Sequence, residues 1–482
     1  MTGIHYLPLV PQFILIIAGV VIMLLEPFTA PERKNRLGQI AIVATATAAY
    51  SLKFQWAGHG LYLFSGMFLS DNYSIFFQWL FLVITGVCIL VSMDFNKREG
   101  INRGEYYSLL LFACSGMSLM ASSGDLIVTF IGIEILSIAT YILAGFKRDD
   151  ARSNESSLKY FLLGSFATAF LLYGIALLYG STGSTNYQVI HDLASRQSAP
   201  HTTVLVGLGL LLVGLGFKVA LVPFHAWVPD VYEGAPSPVT AFMVVGPKAA
   251  GFAALVRILV EALPTFGPVY WTRLLWVCAV LTMTVGNVVA IRQTSIKRML
   301  AYSSIAHAGY LLIGIVSNSS TGFSAVLFYL VAYTAMNLGA FSIILALSRK
   351  GDSKVQIDDF AGLGRTAPFA AGALSLFLLS LSGIPLTAGF IGKFYLFSSA
   401  IHGGCLGLAI IGVLNSVVSV AYYFRVIVTM YMRDPDGGQP PPDPIALPVA
   451  AIIALTAVVI VWLGIFPAHI LNLAGNSALA LK

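Results

Sequence analysis

Apolar runs of about 20 residues recur along the whole chain, and they limit its fold more than any other feature. Each run is long enough to cross a bilayer as a helix, because the hydrocarbon core is about 30 Å thick and each helical residue rises 1.5 Å. Charged types make up only 10% of the 482 residues, against about 25% in a soluble protein. The sequence therefore predicts an all-α polytopic membrane protein without a soluble domain.

Fourteen spans account for the apolar runs and for the basic residues between them. Lysine and arginine concentrate in alternate loops, and such loops face the cytoplasm in membrane proteins. This alternation predicts that both termini lie in the periplasm. The predicted spans are 7–25, 37–56, 72–93, 105–121, 124–145, 156–180, 202–222, 238–262, 271–291, 297–316, 321–348, 368–399, 404–430 and 445–466.

Other features of the sequence argue against several kinds of site. The net charge is +6, but the basic residues lie in short loops between spans, so nucleic acid is not an expected partner. The four cysteines are distant from one another in sequence and form no CxxC pair that would indicate a metal or iron–sulfur site. A GxxxxGK[ST] phosphate loop is also absent. We expect no metal and no cofactor bound by this chain.

Two groups of five spans resemble each other and predict an internal repeat. The second span of each group carries an ionisable residue, Glu134 or His307, and the fourth combines a proline with a lysine, Lys218 or Lys393. Because five is odd, the second group would enter the membrane from the other side, as in the inverted repeats of transporters with broken helices. The predicted units are 1–104 (spans 1–3), 105–262 (first repeat), 271–430 (second repeat) and 445–482 (span 14).

Three stretches between the spans have compositions typical of turns or broken helices. Residues 60–72 combine glycine with apolar and aromatic types, which predicts a short hairpin or surface segment on the outer face. Residues 223–239 hold four prolines and no basic residue, which predicts a broken, re-entrant continuation of span 7. Residues 434–444 are rich in proline, glycine and aspartate, which indicates a connector.

Ionisable side chains deep inside the spans are the strongest functional signal. A charge at the bilayer centre costs about 2.5–3.5 kcal/mol on insertion scales, so such residues need partners, water or a neutral form. Burial favours the neutral forms of lysine and glutamate, and groups that can change charge can pass protons on. We interpret Glu134, Lys218, Lys248 and Lys393 as candidate proton-relay groups.

Other ionisable residues in the spans leave alternatives open. His307 lies ten residues into span 10 and has a side chain with an ordinary pKa near neutral, although it could also be a hydrogen-bonded core residue. Lys159 could extend to the membrane surface, or it could pair with Glu134 on the adjacent span. Arg257 and Arg425 are expected to be structural, because arginine scarcely loses its proton and both lie near span ends.

Prolines interrupt two of the spans that carry lysines. Pro223, and Pro385 after Gly383, remove helix hydrogen bonds and free backbone carbonyls within the membrane. Freed carbonyls could attract water and cations, and a simple packing kink is the alternative. His225 borders the first break, and its role stays open.

Three long motifs make the chain similar to a known family. They are GLGFKVALVPFHAWVPDVYEGAPSPVTAF (214–242), IKRMLAYSSIAHAGY (296–310) and LSGIPLTAGFIGKFYLF (381–397). Together they resemble the antiporter-like membrane subunits of respiratory complex I, and the resemblance extends over nearly the entire chain. The form VYEGAPSPV and the lysine at 393 are most similar to the subunit N branch of that family.

The resemblance implies a proton-translocating membrane subunit of NADH–quinone oxidoreductase, a translocase (EC 7.1.1.-) of the bacterial inner membrane. Electron transfer from NADH to quinone, with FMN and iron–sulfur clusters, would take place in partner subunits. The chain itself would contact lipid and the other membrane-arm subunits. The alternative is a subunit of an Mrp-type multi-subunit cation/proton antiporter, which shares the fold but is not redox-linked.

The resemblance also implies roles for individual residues. Glu134 and Lys218 match the family's coupling pair, Lys248 its central connecting lysine and Lys393 its exit-side lysine. Lys159 and His307 lie at family positions as well. No departure from the family pattern occurs at these six positions.

Overall fold

The computed structural model describes residues 6–55, 60–195, 201–264, 270–348, 355–434 and 444–481. Over these ranges the chain forms 19 α-helices and one short antiparallel hairpin, so the predicted all-α membrane class is confirmed. A helix occupies each of the fourteen predicted span positions, and the predicted hairpin lies within residues 60–72.

The first ten helices are α1 (Val10–Leu25), α2 (Asn35–Leu52), α3 (Asn72–Glu99), α4 (Gly104–Ala121), α5 (Leu126–Ala144), α6 (Ala151–Thr182), α7 (Tyr187–Ser195), α8 (His201–Val219), α9 (Trp227–Gly234) and α10 (Ser237–Arg257). The others are α11 (Thr272–Ile291), α12 (Ile296–Val316), α13 (Ser320–Leu347), α14 (Leu363–Thr366), α15 (Pro368–Ser382), α16 (Ala388–His402), α17 (Leu406–Met432), α18 (Leu447–Ile465) and α19 (Ala468–Leu479). The hairpin strands are β1 (Leu61–Leu63) and β2 (Phe68–Ser70), and a π-helix, Ile258–Ala262, follows α10.

Among the described residues, eleven helices are long and apolar enough to cross a membrane. The predicted spans 2 and 4 are helical as α2 and α4 but do not belong to this set. Span 12 was predicted as 368–399 and consists of two shorter helices, α15 and α16, with a break between them. The helices α7 and α19 were not predicted, because each is too short to form an apolar run of membrane length.

Contacts between the connecting segments divide them into two ends of the bundle. At one end, ion pairs and hydrogen bonds join loops rich in lysine and arginine: Lys147 bonds to Glu99 at 2.8 Å, and Arg98 bonds to Ser348 at 2.9 Å. At the other end, isolated β-bridges join the hairpin to the turn before α5, and that turn to the segment before α7. We call the end with the loops at 97–103, 147–152 and 292–298 the basic face, and the other end the opposite face.

The two helix breaks predicted at Pro223 and Pro385 are both present. Between α8 and α9 the backbone adopts a left-handed conformation at Ala220, which has a φ of 64°, and the Val222–Pro223 peptide is cis. Between α15 and α16 the backbone is left-handed at Gly383, which has a φ of 90° and donates its N–H to the carbonyl of Leu379. Glycine adopts this left-handed conformation at little cost, which explains why α15 ends there.

Glycines bring matching helix pairs of the two predicted repeats into close contact. A Cβ on Gly116 of α4 would lie 2.8 Å from the carbonyl oxygen of Gly132 on α5. In the second group, a Cβ on Gly309 of α12 would lie 2.8 Å from the backbone nitrogen of Met283 on α11. Small residues permit such close approach between membrane helices. The shared packing supports the repeat, whose limits at 105–262 and 271–430 stay a prediction.

Two further predicted segments can be compared with the structure. The segment 223–239, predicted to be re-entrant, contains the short helix α9, which packs between α6 and α12 at the basic face. The connector predicted at 434–444 lies outside the described residues, except for the residues at its two ends.

Candidate functional site

Lys218 lies in the last turn of α8 and is buried, with 4% of its surface exposed. Its Nζ donates to the Ser137 hydroxyl of α5 at 2.5 Å and lies 5.5 and 5.7 Å from the ring centroids of Tyr141 and Tyr160. None of the ion pairs within 4.0 Å in the described parts of the chain includes Lys218. A hydroxyl, two aromatic faces and the negative end of the α8 dipole therefore surround its ammonium group.

Glu134 lies one helical turn before Ser137, on the same side of α5. It is partly exposed, between the exposed residues Ile131 and Ile138, and its Oε1 has no hydrogen-bond partner in the described structure. The predicted pairing of Glu134 with Lys218 is not a direct ion pair here. Ser137 contacts the lysine instead, and the Glu134 carboxylate lies beyond ion-pair distance of it.

Lys248 lies on α10, in which every residue is buried. Its Nζ donates to the backbone carbonyl of Ser304 on α12 and, at 3.0 Å, to the hydroxyl of the same residue. The ring centroid of Tyr333 is 5.6 Å away. One turn along α10, a Cβ on Gly251 would lie 3.5 Å from the Lys218 Cβ, so the helices that carry the two lysines are in contact.

His307 lies on α12 and is buried between two tyrosine hydroxyls. Its Nδ1 is 2.6 Å from the Tyr329 hydroxyl, and its Nε2 is 3.1 Å from the Tyr423 hydroxyl. The Tyr423 hydroxyl is also 2.5 Å from the Ser303 hydroxyl. A neutral imidazole has one donor and one acceptor nitrogen, and hydroxyls can serve as either partner. Both tautomers of His307 therefore have partners, as a proton-transfer group requires.

Lys393 lies on α16 and caps the carboxyl end of α15. Its Nζ donates to the carbonyls of Leu381 and Ser382, both at 2.9 Å, and to the Ser416 hydroxyl at 2.8 Å. It also lies 4.8 Å from the ring centroid of Tyr310. We had expected the carbonyls at this break to attract water or a cation. Here they accept hydrogen bonds from the ammonium group of Lys393.

One face of α12 connects Lys248 with Lys393. Ser304, His307 and Tyr310 follow each other at three-residue intervals, which places them on one side of the helix. Lys248 bonds to the first of these residues and Lys393 lies over the last, across a rise of about 9 Å along the helix. The second predicted group thus repeats the pattern of the first, where Ser137 follows Glu134 by one turn and contacts Lys218.

Lys159 lies apart from these residues, at the basic face. Its side chain is 43% exposed and pairs with Glu155 at 2.7 Å and with Asp230 of α9 at 2.8 Å. Of the two alternatives that the sequence left open, Lys159 extends to the surface and does not pair with Glu134. The physical reason is position: Lys159 lies near the beginning of α6, where its long side chain reaches the charged residues of the surface.

Lys159 belongs to a group of charged residues that lines a cavity of about 360 Å³. Arg298 of α12 donates to Asp230 at 2.8 Å and to Glu233 at 2.9 Å. Burial alone would raise the pKa of Asp230, but hydrogen bonds from Lys159 and Arg298 and their charges hold this pKa below its ordinary value. We call this group, Arg152, Glu155, Lys159, Asp230, Glu233 and Arg298, the charged basin.

The two arginines expected to be structural differ in their surroundings. Arg425 is partly exposed and donates to the Ile291 carbonyl at the end of α11 at 2.8 Å, as a capping residue would. Arg257 does not extend to the surface as expected. It is fully buried, bonds to both Asp71 oxygens at 2.8 and 2.9 Å and pairs with Glu261 at 2.7 Å.

Sequence reasoning missed the neutral partners of the lysines and the acidic residues of α9. Ser137, Ser304 and Tyr310 lie three residues from Glu134 or His307, and that spacing is the signal that could have identified them. His225 is half-buried beside the first break, and its Nδ1 has no partner within the described ranges. The described residues contain no group of three or more His, Cys, Asp or Glu suited to holding a metal ion.

Comparisons with known proteins identify what this arrangement is similar to. Residues 123–419 match the family described as NADH:quinone oxidoreductase/Mrp antiporter, TM. The chain is 48% identical to NADH-quinone oxidoreductase subunit N of Trichlorobacter lovleyi, over 97% of this chain and 95% of that protein. It is 35% identical to a chain of respiratory complex I from Thermus thermophilus, with a TM-score of 0.82 over 96% and 99% of the two chains. A chain of the Mrp complex from a Dietzia species shares the fold, with a TM-score of 0.89 over 100% and 98% and 23% identity.

Proposed function

The chain belongs to the NADH:quinone oxidoreductase/Mrp antiporter family of membrane proteins, in the group of NADH-quinone oxidoreductase N subunits, and we propose that it translocates protons across the membrane. The relative from Trichlorobacter lovleyi and the complex I chain support coupling to NADH oxidation and quinone reduction rather than to cation exchange. The likeness to the Mrp chain is at 23% identity and bears on the fold alone.

In this proposal the chain is one membrane-arm subunit of a larger translocase. NADH, FMN, iron–sulfur clusters and quinone act in partner subunits, and this chain binds none of them. The membrane is the bacterial inner membrane. The basic face lies toward the cytoplasm, because basic loops are retained on that side, and both termini lie in the periplasm.

One observation carries the proposal: within the described residues, three buried lysines have no carboxylate at ion-pair distance. Lys218, Lys248 and Lys393 are 4%, 1% and 3% exposed, and each ammonium group contacts only hydroxyls, carbonyls and aromatic rings. A purely structural buried cation would be expected to have a counter-ion, because an unpaired charge in the membrane is costly. A lysine that alternates between charged and neutral forms has no need of a permanent one.

The contacts suggest an order for the proton path. Lys218 and Lys248 lie on helices that touch at Gly251, and the α12 face with His307 leads from Lys248 to Lys393. Glu134 acts at the beginning of this row. When its carboxylate approaches Lys218, it favours the charged lysine, and when they separate the proton is released inward. The two five-helix units, 105–262 and 271–430, would each supply one broken helix.

Purification of the assembled complex in a mild detergent tests the proposal against the antiporter alternative. Redox subunits that co-purify with the chain, together with NADH-driven proton uptake by inverted vesicles, are the expected result. Co-purification with small antiporter subunits and without any redox subunit would contradict it. The matched control is the same vesicle preparation from cells that lack the chain, in which NADH-driven proton uptake should fall.

A further inference from the structure

The short helix α9 separates the charged basin from Lys218. Its first residue, Trp227, stacks on Tyr160 with ring centroids 4.5 Å apart and an interplanar angle of 9°. Trp227 also stacks on Phe217 at 5.1 Å and donates its Nε1–H to the Phe217 carbonyl at 3.1 Å. The Tyr160 ring is 5.7 Å from the Lys218 Nζ. An aromatic stack therefore closes the space between Lys218 and the basic face.

The other side of α9 is held by charges from two neighbouring helices. Asp230 and Glu233 lie one turn apart, and Arg298 of α12 bonds to both of them, at 2.8 and 2.9 Å. Lys159 of α6 bonds to Asp230 at 2.8 Å. Since α6 belongs to the first predicted repeat and α12 to the second, Arg298 ties α9 to the opposite repeat.

Besides the Lys159–Asp230 bridge, backbone atoms of α9 and α6 approach each other closely. A Cβ on Gly234 would lie 2.6 Å from the Arg152 carbonyl oxygen, and the Ser156 hydroxyl donates to the Val231 carbonyl at 3.3 Å. Ser156 is only 2% exposed, although it lines the cavity of the charged basin. The solvent exposure of Ser156 should therefore increase when α9 moves away from α6.

We propose that Arg298 is a positioning residue that locks α9 over Lys218, and that release of its two salt bridges opens the charged basin toward Lys218. The lock rests on the proposed function in that the opened basin would give protons access to the relay. Arg298 is 30% exposed, and its partners Asp230 and Glu233 are 37% and 29% exposed. Ion pairs that water can reach are weak, so this lock can open and close during turnover.

Thiol labelling of the solubilised, assembled complex tests the lock. A cysteine is introduced as Ser156→Cys, and its reaction with a charged methanethiosulfonate reagent is quantified by mass spectrometry of the labelled peptide. We expect the reaction to be about tenfold faster when Arg298→Gln is added, which corresponds to about 1.4 kcal/mol of lost closure free energy. The control is Arg365→Gln, which breaks an exposed ion pair with Asp434 of 2.7 Å and leaves α9 untouched.

A second variant keeps the test decisive if Arg298→Gln fails to assemble. The double substitution Asp230→Asn, Glu233→Gln breaks both bridges to Arg298 from the α9 side, and it also breaks the bridge between Asp230 and Lys159, so it should accelerate labelling at least as much. Labelling rates equal to that of the Ser156→Cys parent in every assembled variant would overturn the lock. Labelling needs no turnover, so the two ideas can fail separately. If the Arg298→Gln variant is labelled faster but the complex with the parental chain does not pump protons, the lock is upheld and the proposed function is contradicted. Unchanged labelling in a pumping complex would do the reverse.

Discussion

Replacement of Arg257 by methionine should destabilise the chain more than any loss of a surface charge. Methionine retains most of the side-chain volume but leaves Asp71 and Glu261 without their cation. Removing one partner of a buried ion pair costs about 3–5 kcal/mol. The two carboxylates are 12% and 19% exposed, so the cost should lie at the lower end of this range. The lost contact between the guanidinium group and the Tyr73 ring, at 4.8 Å, adds about 0.5–1 kcal/mol to that cost. We therefore expect Arg257→Met to lower the free energy of unfolding by about 3–4 kcal/mol in total.

The assay is alkylation of the buried cysteines Cys88 and Cys114 during heating of the purified complex, followed by mass spectrometry. For a chain of 482 residues the expected loss lowers the unfolding midpoint by roughly 3–4 °C. The matched control is Arg433→Met, which breaks an ion pair with Asp358 whose side chains are 56% and 76% exposed, and it should shift the midpoint by about 1 °C. Equal midpoints for the two variants would refute the view that Arg257 is a buried structural charge.

Three further predictions concern the relay, the orientation and the basin. Glu134→Ala and Lys218→Ala should each lower proton pumping and coupled quinone reduction while the complex still assembles, and near-normal pumping in both would contradict their pairing. A cysteine introduced at Asn318 should react with an impermeant thiol reagent only from the periplasmic side, and reaction only from the cytoplasm would overturn the span count. Because Lys159 and Arg298 hold the pKa of Asp230 below its ordinary value, the bridge is present above that pKa and is lost only in strong acid. The ratio of Ser156→Cys labelling rates with and without Arg298→Gln should therefore stay constant from pH 6 to 8, and a ratio that falls toward one at pH 6 would be inconsistent with a permanently charged Asp230.

The deep lysines could be predicted from sequence because the membrane makes their cost obvious. Lys218, Lys248 and Lys393 interrupt long apolar runs. Ionisable side chains at such positions are costly and are usually functional. Their partners are indicated only by a three-residue spacing from Glu134 or His307, which is a weak signal. Serine and tyrosine are tolerated at many positions in such helices, and only the rotation of each helix decides that Ser137 and Ser304 face a lysine.

Arg257 was misjudged for a related reason. Its position near a span end favoured a side chain that reaches the surface, but its partner Asp71 lies 186 positions away in the sequence. Pairing over such a distance depends on how α3 and α10 pack, which residue spacing does not reveal. For Lys159 the sequence left two alternatives open, and the side chain lies at the surface because Asp230 of α9 pairs with it there.

Lys248 offers the most direct test of proton transfer through the buried lysines. Arginine at this position keeps the charge but scarcely releases a proton, so Lys248→Arg should assemble normally and pump poorly in reconstituted vesicles, much like Lys248→Ala. Lys147→Arg, which keeps the ion pair with Glu99 at the basic face, is the control and should pump like the parent. If Lys248→Arg pumped protons at the parental rate, Lys248 would be a packing charge and the proposed path would be contradicted.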